Sequence, residues 1–228
     1  NAVFYWGWAW AAGAYVLMFL RLVSQQHLRT ADGRIAAVML AACVLTIVWS
    51  GCSLLALTVN PAWWLAAQAA DILRYLCWGG FVALFFRPNA GEAGDPWRRW
   101  WPGVVVAGLL GAPALVTIVY WLAGAKGYAF LMVLLAVGEL LLLEQLIRNL
   151  PEDSLWSAKP VCLGLAGTFL FDLYLFSQGV LFQGIDPDAL SVRPFVHAFM
   201  VPLLLLATTR HRNWIAKIHV SRKVIFHS

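Results

Sequence analysis

The sequence predicts an all-α integral membrane protein with seven transmembrane helices. Its 228 residues are 62% hydrophobic and only 12% charged, and its mean hydropathy is +0.75. About a quarter of the residues of a soluble domain are charged, so an ordinary soluble fold is excluded. Several apolar runs also reach the roughly 20 residues that a helix needs to cross the hydrocarbon core of a bilayer.

Seven segments have the length and apolar character of membrane spans. They are Ala2–Val23, Arg34–Leu57, Ala62–Phe86, Pro102–Ala123, Gly127–Arg148, Ala158–Phe182 and Leu190–Thr208. We treat residues 1–209 as one transmembrane domain and residues 210–228 as a basic cytoplasmic tail at the membrane interface.

The basic residues indicate how the spans are oriented. If the side of the first loop is called inner, only Lys126 and Arg193 of the sixteen Lys and Arg residues fall in outer segments, and Arg74 falls within a span. The remaining thirteen lie in inner segments. Because cytoplasmic loops are enriched in Lys and Arg, this distribution places the amino terminus outside and the carboxyl terminus in the cytoplasm.

Ionisable residues near the middle of several spans form a predicted polar belt. Asp71 and Arg74 are three residues apart and share one helix face, while Glu139 and Asp172 lie at a similar depth and His197 lies a little further out. Ionised side chains at the bilayer centre are costly without partners. Three acids with one Arg leave excess negative charge, so we expect one or two of these acids to be protonated or hydrated.

The belt has two interpretations that the sequence leaves open. It is either a ligand, cation or proton site between spans 3, 5, 6 and 7, or a buried ion-pair network that fixes the register of the helices. A small transporter or channel using the belt as its path is the alternative function. No catalytic motif is present, although an intramembrane hydrolase using Asp172 or Glu139 is a weaker alternative. We predict no metal and no cofactor; retinal is excluded because the last span has no Lys.

Aromatic and basic residues mark the predicted membrane interfaces. Trp63 and Trp64 are expected at the outer interface, and the inner loop Arg87–Trp101 ends in a cluster that contacts anionic lipid. This cluster consists of Trp97, Arg98, Arg99, Trp100 and Trp101. The aromatic stretch Phe4–Trp10 is either a further outer belt or the wall of a ligand pocket. No feature favours nucleic-acid binding.

The carboxyl-terminal part of the chain, from Arg193 onward, resembles a known family. The segments Arg193–Ala198, Val201–Leu203, Arg210–Trp214 and Val220–Ser228 are similar to the membrane-bound sensor histidine kinases of the PEP-CTERM/exosortase system. The resemblance is densest over Arg193–Ser228 and weaker in the layout of the other spans. These kinases occur in exopolysaccharide-producing Gram-negative bacteria.

The resemblance implies a sensory input domain in the bacterial inner membrane. Its partners would be downstream kinase domains, a response regulator and a second copy of the chain in a homodimer. We expect the natural protein to continue past Ser228, because the phospho-acceptor histidine and ATP-binding motifs of a kinase are not found in this segment. A membrane anchor that only dimerises such a kinase is a further alternative. Pro113, Pro202 and the Gly79–Gly80 pair are candidate bending points during signalling.

Overall fold

The chain folds into α-helices joined by short connections. The computed structural model describes residues 2–24, 33–86, 96–150, 152–182 and 184–210, apart from some side chains within these ranges. The helices are α1 (Ala2–Ser24), α2 (Gly33–Thr58), α3 (Trp63–Leu84), α4 (Pro96–Asn149), α5 (Glu152–Leu181) and α6 (Pro187–Arg210). The prediction of an all-helical chain is confirmed for the described residues, which contain no strand.

The long helix α4 folds back on itself at Gly124. This glycine has φ 60° and ψ −156°, a left-handed backbone that residues other than glycine rarely adopt. The rings of Tyr120 and Tyr128 stack with centroids 5.7 Å apart, although eight residues of straight helix would separate them by about 12 Å. The two segments of α4, residues 96–123 and 125–149, therefore form a hairpin.

The helices form a closed ring in chain order. Each helix packs against the next one along the chain, and α6 packs against α1 to close the ring. The link from α2 to α3 is a tight turn in which the Asn60 Oδ1 accepts a hydrogen bond from the Ala62 backbone N–H at 2.8 Å. This connection and the turn at Gly124 lie at one end of the ring, which we call the turn end.

Apolar side chains cover the outside of the ring, as expected of a surface that faces lipid. Leu163, Leu170 and Phe199 are 55–73% exposed, while polar Thr46 and Ser50 are completely buried. The buried hydroxyls donate hydrogen bonds to backbone oxygens four residues earlier in α2, so their burial is compensated. The chain is a multi-pass membrane protein.

Five stretches of the described chain are long and apolar enough to cross a membrane. They are Val3–Ser24, Ile35–Thr58, Leu110–Asn149, Ala158–Leu181 and Pro187–Ala207. The third of them includes the hairpin turn of α4, and α3 is not among the five because Gln68, Asp71 and Arg74 lower its hydropathy. Two boundaries differ from the prediction by six residues: α4 begins at Pro96, inside the predicted inner loop, and α5 begins at Glu152. Helix α6 begins three residues before the predicted span, at Pro187.

Candidate functional site

Three helices bring five ionisable side chains together near the turn end of the ring. Asp71 and Arg74 come from α3, Asp172 from α5, and Arg193 and His197 from α6; each residue is at most 4% exposed. We call these five residues the charge cluster. Asp71 lies eight residues after the first residue of α3, or about 12 Å along the helix. The cluster is therefore well inside the bundle.

Arg193 joins the two carboxylates of the cluster. Its Nε and Nη2 donate to Asp172 Oδ1 and Oδ2 at 2.7 and 2.9 Å, which is the bidentate geometry that makes such pairs strong. Its Nη1 lies 2.7 Å from Asp71 Oδ2, and its Nη2 lies 3.1 Å from Asp71 Oδ1. A single guanidinium thus ties α6 to both α3 and α5.

Arg74 holds the second guanidinium of the cluster and fixes the tautomer of His197. It donates to Asp71 Oδ1 through Nε at 3.0 Å and Nη2 at 2.6 Å, and its Nη1 lies 2.9 Å from His197 Nδ1. A guanidinium has no acceptor, so Nδ1 must accept. His197 is therefore a neutral imidazole whose Nε2–H donates to Asp172 Oδ2 at 3.1 Å.

Two tyrosine hydroxyls complete the hydrogen bonding of the carboxylates. Tyr75 donates to Asp172 Oδ2 at 2.5 Å, and Tyr128 donates to Asp71 Oδ2 at 3.4 Å. With two aspartates, two arginines and a neutral imidazole, the formal charge of the cluster is zero. The desolvation cost of burying four charges is offset by this pairing, as buried charges require.

The indole of Trp49 in α2 packs against both guanidinium groups. The Cζ atoms of Arg74 and Arg193 lie 4.1 and 4.8 Å from the centre of a Trp49 ring, within the range of cation–π attraction. Trp8 of α1 packs edge-on against Trp49 with ring centroids 4.7 Å apart. The two first helices thus contribute aromatic surface rather than charge to the site.

A cavity of about 210 Å³ leads from the turn end to the charge cluster. Asp71 and Arg193 line it, and along α3 and α6 they are the lining residues furthest from the turn end. Its aromatic lining consists of Trp8, Trp49, Trp64, Tyr120, Tyr128 and Phe176. A ligand in this cavity would contact aromatic faces along its sides and a carboxylate and a guanidinium at its inner end.

Polar groups at the cavity are available to a ligand. Trp8 contributes ring surface to the cavity, while its Nε1 atom is itself buried and has no hydrogen-bond partner in the described structure. Gln68 donates through Nε2 to the Tyr120 hydroxyl at 2.7 Å, which leaves the Gln68 Oε1 to accept and the Tyr120 O–H to donate. The cavity therefore offers both a hydrogen-bond donor and an acceptor.

The structure brings four of the five predicted belt residues together and separates the fifth. Asp71, Arg74, Asp172 and His197 are in direct contact, whereas Glu139 has no hydrogen bond or ion pair with any residue that the structure describes. Glu139 is buried against α3 at Gly79 instead. The expected excess of acids in one belt is wrong, because a second arginine belongs to the cluster.

That second arginine, Arg193, was assigned to the outer side, and this assignment is wrong. The helix begins at Pro187, where Asp186 Oδ1 accepts a hydrogen bond from the Asp188 backbone N–H at 3.0 Å. Arg193 consequently lies in the second turn of α6, one turn before His197 and on the same face. The predicted span Leu190–Thr208 already includes Arg193, and its place within that span was the signal that could have added it to the belt.

The predicted interface residues lie outside the charge cluster. Trp63 and Trp64 are 42% and 37% exposed, and Trp64 also lines the cavity. In the stretch Phe4–Trp10, Trp6 and Trp10 face outward with 71% and 67% exposure while Trp8 lines the cavity. The side chains of Trp97, Arg98, Arg99, Trp100 and Trp101, and the tail 211–228, lie outside the described residues.

Comparison of the chain with protein-family models, curated proteins and solved structures gives no match.

Proposed function

We propose that this chain is the membrane-embedded sensory module of a two-component histidine kinase and that it binds a small ligand in the cavity above the charge cluster. The observation that carries the proposal is that the cavity ends on Asp71 and Arg193, which are ion-paired with each other and connect α3 to α6. Occupancy of the cavity can therefore act directly on contacts between helices.

We further propose seven spans, with the hairpin of α4 counted as two, the amino terminus outside and the inner membrane of a bacterium as the location. The unequal distribution of Lys and Arg supports this orientation, and moving Arg193 into the membrane leaves only Lys126 on the outer side. In this orientation the turn end faces outward, so the ligand enters from outside the cell.

The charge and size of the site favour a small ligand without net charge. The cluster has zero formal charge, so a cation or an anion in the cavity would lack a compensating partner in a region of low dielectric. Sites for drug-sized ligands measure roughly 300–1,000 Å³, and this cavity is smaller. A neutral or zwitterionic compound with one aromatic ring fits both conditions.

Signalling would proceed by a shift between two packings of the helices. A ligand that forms a hydrogen bond with Asp71 or Arg193 competes with the ion pair between them. Helix α6 then packs in a different position against α3 and α5. Because α6 is followed by the basic tail 211–228, its movement would be passed to the cytoplasmic domains that the resemblance implies.

The first experiment measures binding to the purified protein in lipid nanodiscs. Four probes of similar size differ in charge: indole (neutral), phenylalanine (zwitterionic), benzoate (anionic) and benzylamine (cationic). We expect indole or phenylalanine to change the fluorescence of the cavity tryptophans, and neither charged probe to do so. Equal binding of all four, or of none, contradicts the proposed ligand class.

A variant with a filled cavity tests the site, and a matched variant outside the cavity is its control. Ala67 is 2% exposed and lines the cavity, so Ala67→Phe should abolish binding. Ala114→Phe, on the exposed side of α4, should leave binding unchanged. Loss of binding in both variants would indicate a general folding defect rather than a filled site.

The link to a kinase is tested in the natural full-length protein. If Asp71→Asn, Arg74→Gln and Asp172→Asn all leave regulation of the kinase unchanged, the cluster has only a structural role. If unrelated spans can replace the whole region without loss of regulation, the module is only an anchor. Uptake of indole or phenylalanine into liposomes that contain the protein would favour the alternative of a transporter.

A further inference from the structure

Glu139 occupies a second polar position in the bundle, separate from the charge cluster. It lies in the second segment of α4 and is 6% exposed. Its Oε2 is buried and has no hydrogen-bond partner among the described residues. An unpaired ionised carboxylate in such a place costs many kcal/mol, which is why buried acids without a cation are kept neutral.

The carboxyl group of Glu139 packs directly on the backbone of α3. A Cβ atom built on Gly79 would lie 2.2 Å from Glu139 Oε1 and 2.8 Å from its Cδ, so the carboxyl group would have to move if this residue were not glycine. The next residue back, Trp78, also has a buried indole N–H without a partner. No described side chain of α3 or α4 forms a hydrogen bond or an ion pair with Glu139 at this contact.

In the part of the chain that the structure describes, the charged and titratable groups on the neighbouring helices make their contacts with residues other than Glu139. On α3, Asp71 and Arg74 belong to the charge cluster. The Tyr75 hydroxyl donates a hydrogen bond to Asp172. The Cys77 thiol donates one to the backbone oxygen of Val38. On α5, Asp172 belongs to the cluster and the Lys159 ammonium lies over the ring of Trp156. On α4 itself, Glu144 pairs with Arg148, and the Tyr120 and Tyr128 hydroxyls bond Gln68 and Asp71. On α5, Cys162 is a buried free thiol and Tyr174 is 56% exposed.

We propose that Glu139 and Gly79 form a proton-binding site in which the bound proton holds α3 and α4 together. With the proton bound, the neutral carboxyl group fits against Gly79 in apolar surroundings. Release of the proton leaves a negative charge that needs water or a cation, and admitting either requires the contact at Gly79 to open. The site thus makes the packing of α3 on α4 responsive to proton concentration, independently of the ligand cavity.

The test measures the C=O stretching band of a protonated carboxyl group by infrared spectroscopy of the protein in lipid. We expect the band in the wild type at neutral pH and its loss in Glu139→Gln. Glu144→Gln is the matched control: Glu144 is five residues later in α4, exposed and paired with Arg148, so the band should remain. Persistence of the band in Glu139→Gln would overturn the proposal.

Two adjacent glycines test the geometry of the site. Gly79→Ala should shift or remove the band because the new Cβ occupies the position of the carboxyl group. Gly80→Ala should leave it unchanged, since the nearest side-chain atom to that Cβ is 4.0 Å away on Val38. Identical spectra for the two alanine variants would contradict the assigned contact.

A titration of the wild type keeps the test independent of how the variants fold. We expect the band to disappear as the pH is raised, together with faster hydrogen exchange in α3 near Gly79. If the folded wild type has no such band at any pH, the proton site does not exist. A band that is displaced by sodium at constant pH would show instead that the site selects a metal cation, which also overturns the proposal.

Discussion

Asp172 and Glu139 are both acidic side chains buried in one helix bundle, yet their surroundings differ completely. Asp172 accepts hydrogen bonds from Arg193, Tyr75 and His197. Glu139 faces the backbone at Gly79 and has one oxygen without any partner in the described structure. The comparison shows two ways of placing a carboxyl group in an apolar interior: one compensates the charge, and the other avoids it.

The two arrangements respond differently when a side chain is removed. In the charge cluster, removal of an aspartate or an arginine takes a partner away from a buried group of opposite charge, and that is strongly destabilising. Among the described residues Glu139 has no such partner, so the loss of its carboxyl group leaves no described charge unpaired. Mutations that separate these two responses are therefore the most direct tests of the description.

The largest effect is expected for Arg193→Gln. Removal of this guanidinium leaves Asp71 and Asp172 with one cation between them, and we expect a loss of about 3–5 kcal/mol in the free energy of unfolding. Unfolding by SDS in mixed micelles measures it. Arg148→Gln is the control, because the exposed pair of Arg148 with Glu144 contributes about 0.5 kcal/mol or less. Similar losses in both variants would refute the assigned pairing.

Tyr75→Phe should have the next largest effect. It removes the hydrogen bond to Asp172 Oδ2 without changing the packing of the ring, and a hydrogen bond to a charged group is worth about 1.5–3 kcal/mol. The same unfolding measurement applies. Tyr128→Phe removes a longer contact of 3.4 Å to Asp71 and should lower the free energy of unfolding by less. A larger loss for Tyr128→Phe than for Tyr75→Phe would contradict this order of hydrogen-bond strengths.

A double-mutant cycle tests whether Arg193 and Asp172 act as one unit. Asp172→Asn should cost less in the Arg193→Gln background than in the wild type, since the pair is already broken, with a coupling energy of about 0.5–3 kcal/mol. Four unfolding curves give this value. Additive effects would mean that the bidentate contact contributes nothing specific to stability.

The smallest effect is expected for Glu139→Gln. The amide is nearly the same size as the neutral carboxyl group and loses no ion pair, so we expect stability to change by about 1 kcal/mol or less. Unfolding at neutral pH checks this value. A loss as large as that of Arg193→Gln would reveal a charged partner for Glu139 and would remove the distinction between the two sites.

Much of the fold follows from the sequence because each helix is recognisable by itself. The boundaries predicted for α1, α2 and α3 agree with the structure within two residues at each end, since a polar turn such as Asn60–Pro61 interrupts the apolar run. The early starts of α4 and α5 were missed because their first turns are polar, and a hydropathy pattern cannot distinguish such a turn from a loop.

The candidate site was predictable only in part. Asp71 and Arg74 are one turn apart, so their contact follows from helix geometry alone. Arg193 and Asp172 are 21 residues apart, and Arg74 and His197 are 123 apart; nothing local to either residue indicates the contact. Glu139 shows the opposite kind of error. Its similar predicted depth in the membrane grouped it with the other acids, but in the structure it does not lie beside them.

The sequence by itself determined that the chain forms apolar helices of membrane-spanning length and that several of them bury ionisable residues. Composition and the periodicity of a helix are sufficient for those properties, because each is local to one segment. Only the tertiary structure decided which charges are paired, that Arg193 completes a neutral cluster, that Glu139 stands apart and that a cavity reaches Asp71. These depend on how helices far apart in the chain rotate and pack against one another, and side-chain fit at close range fixes that packing.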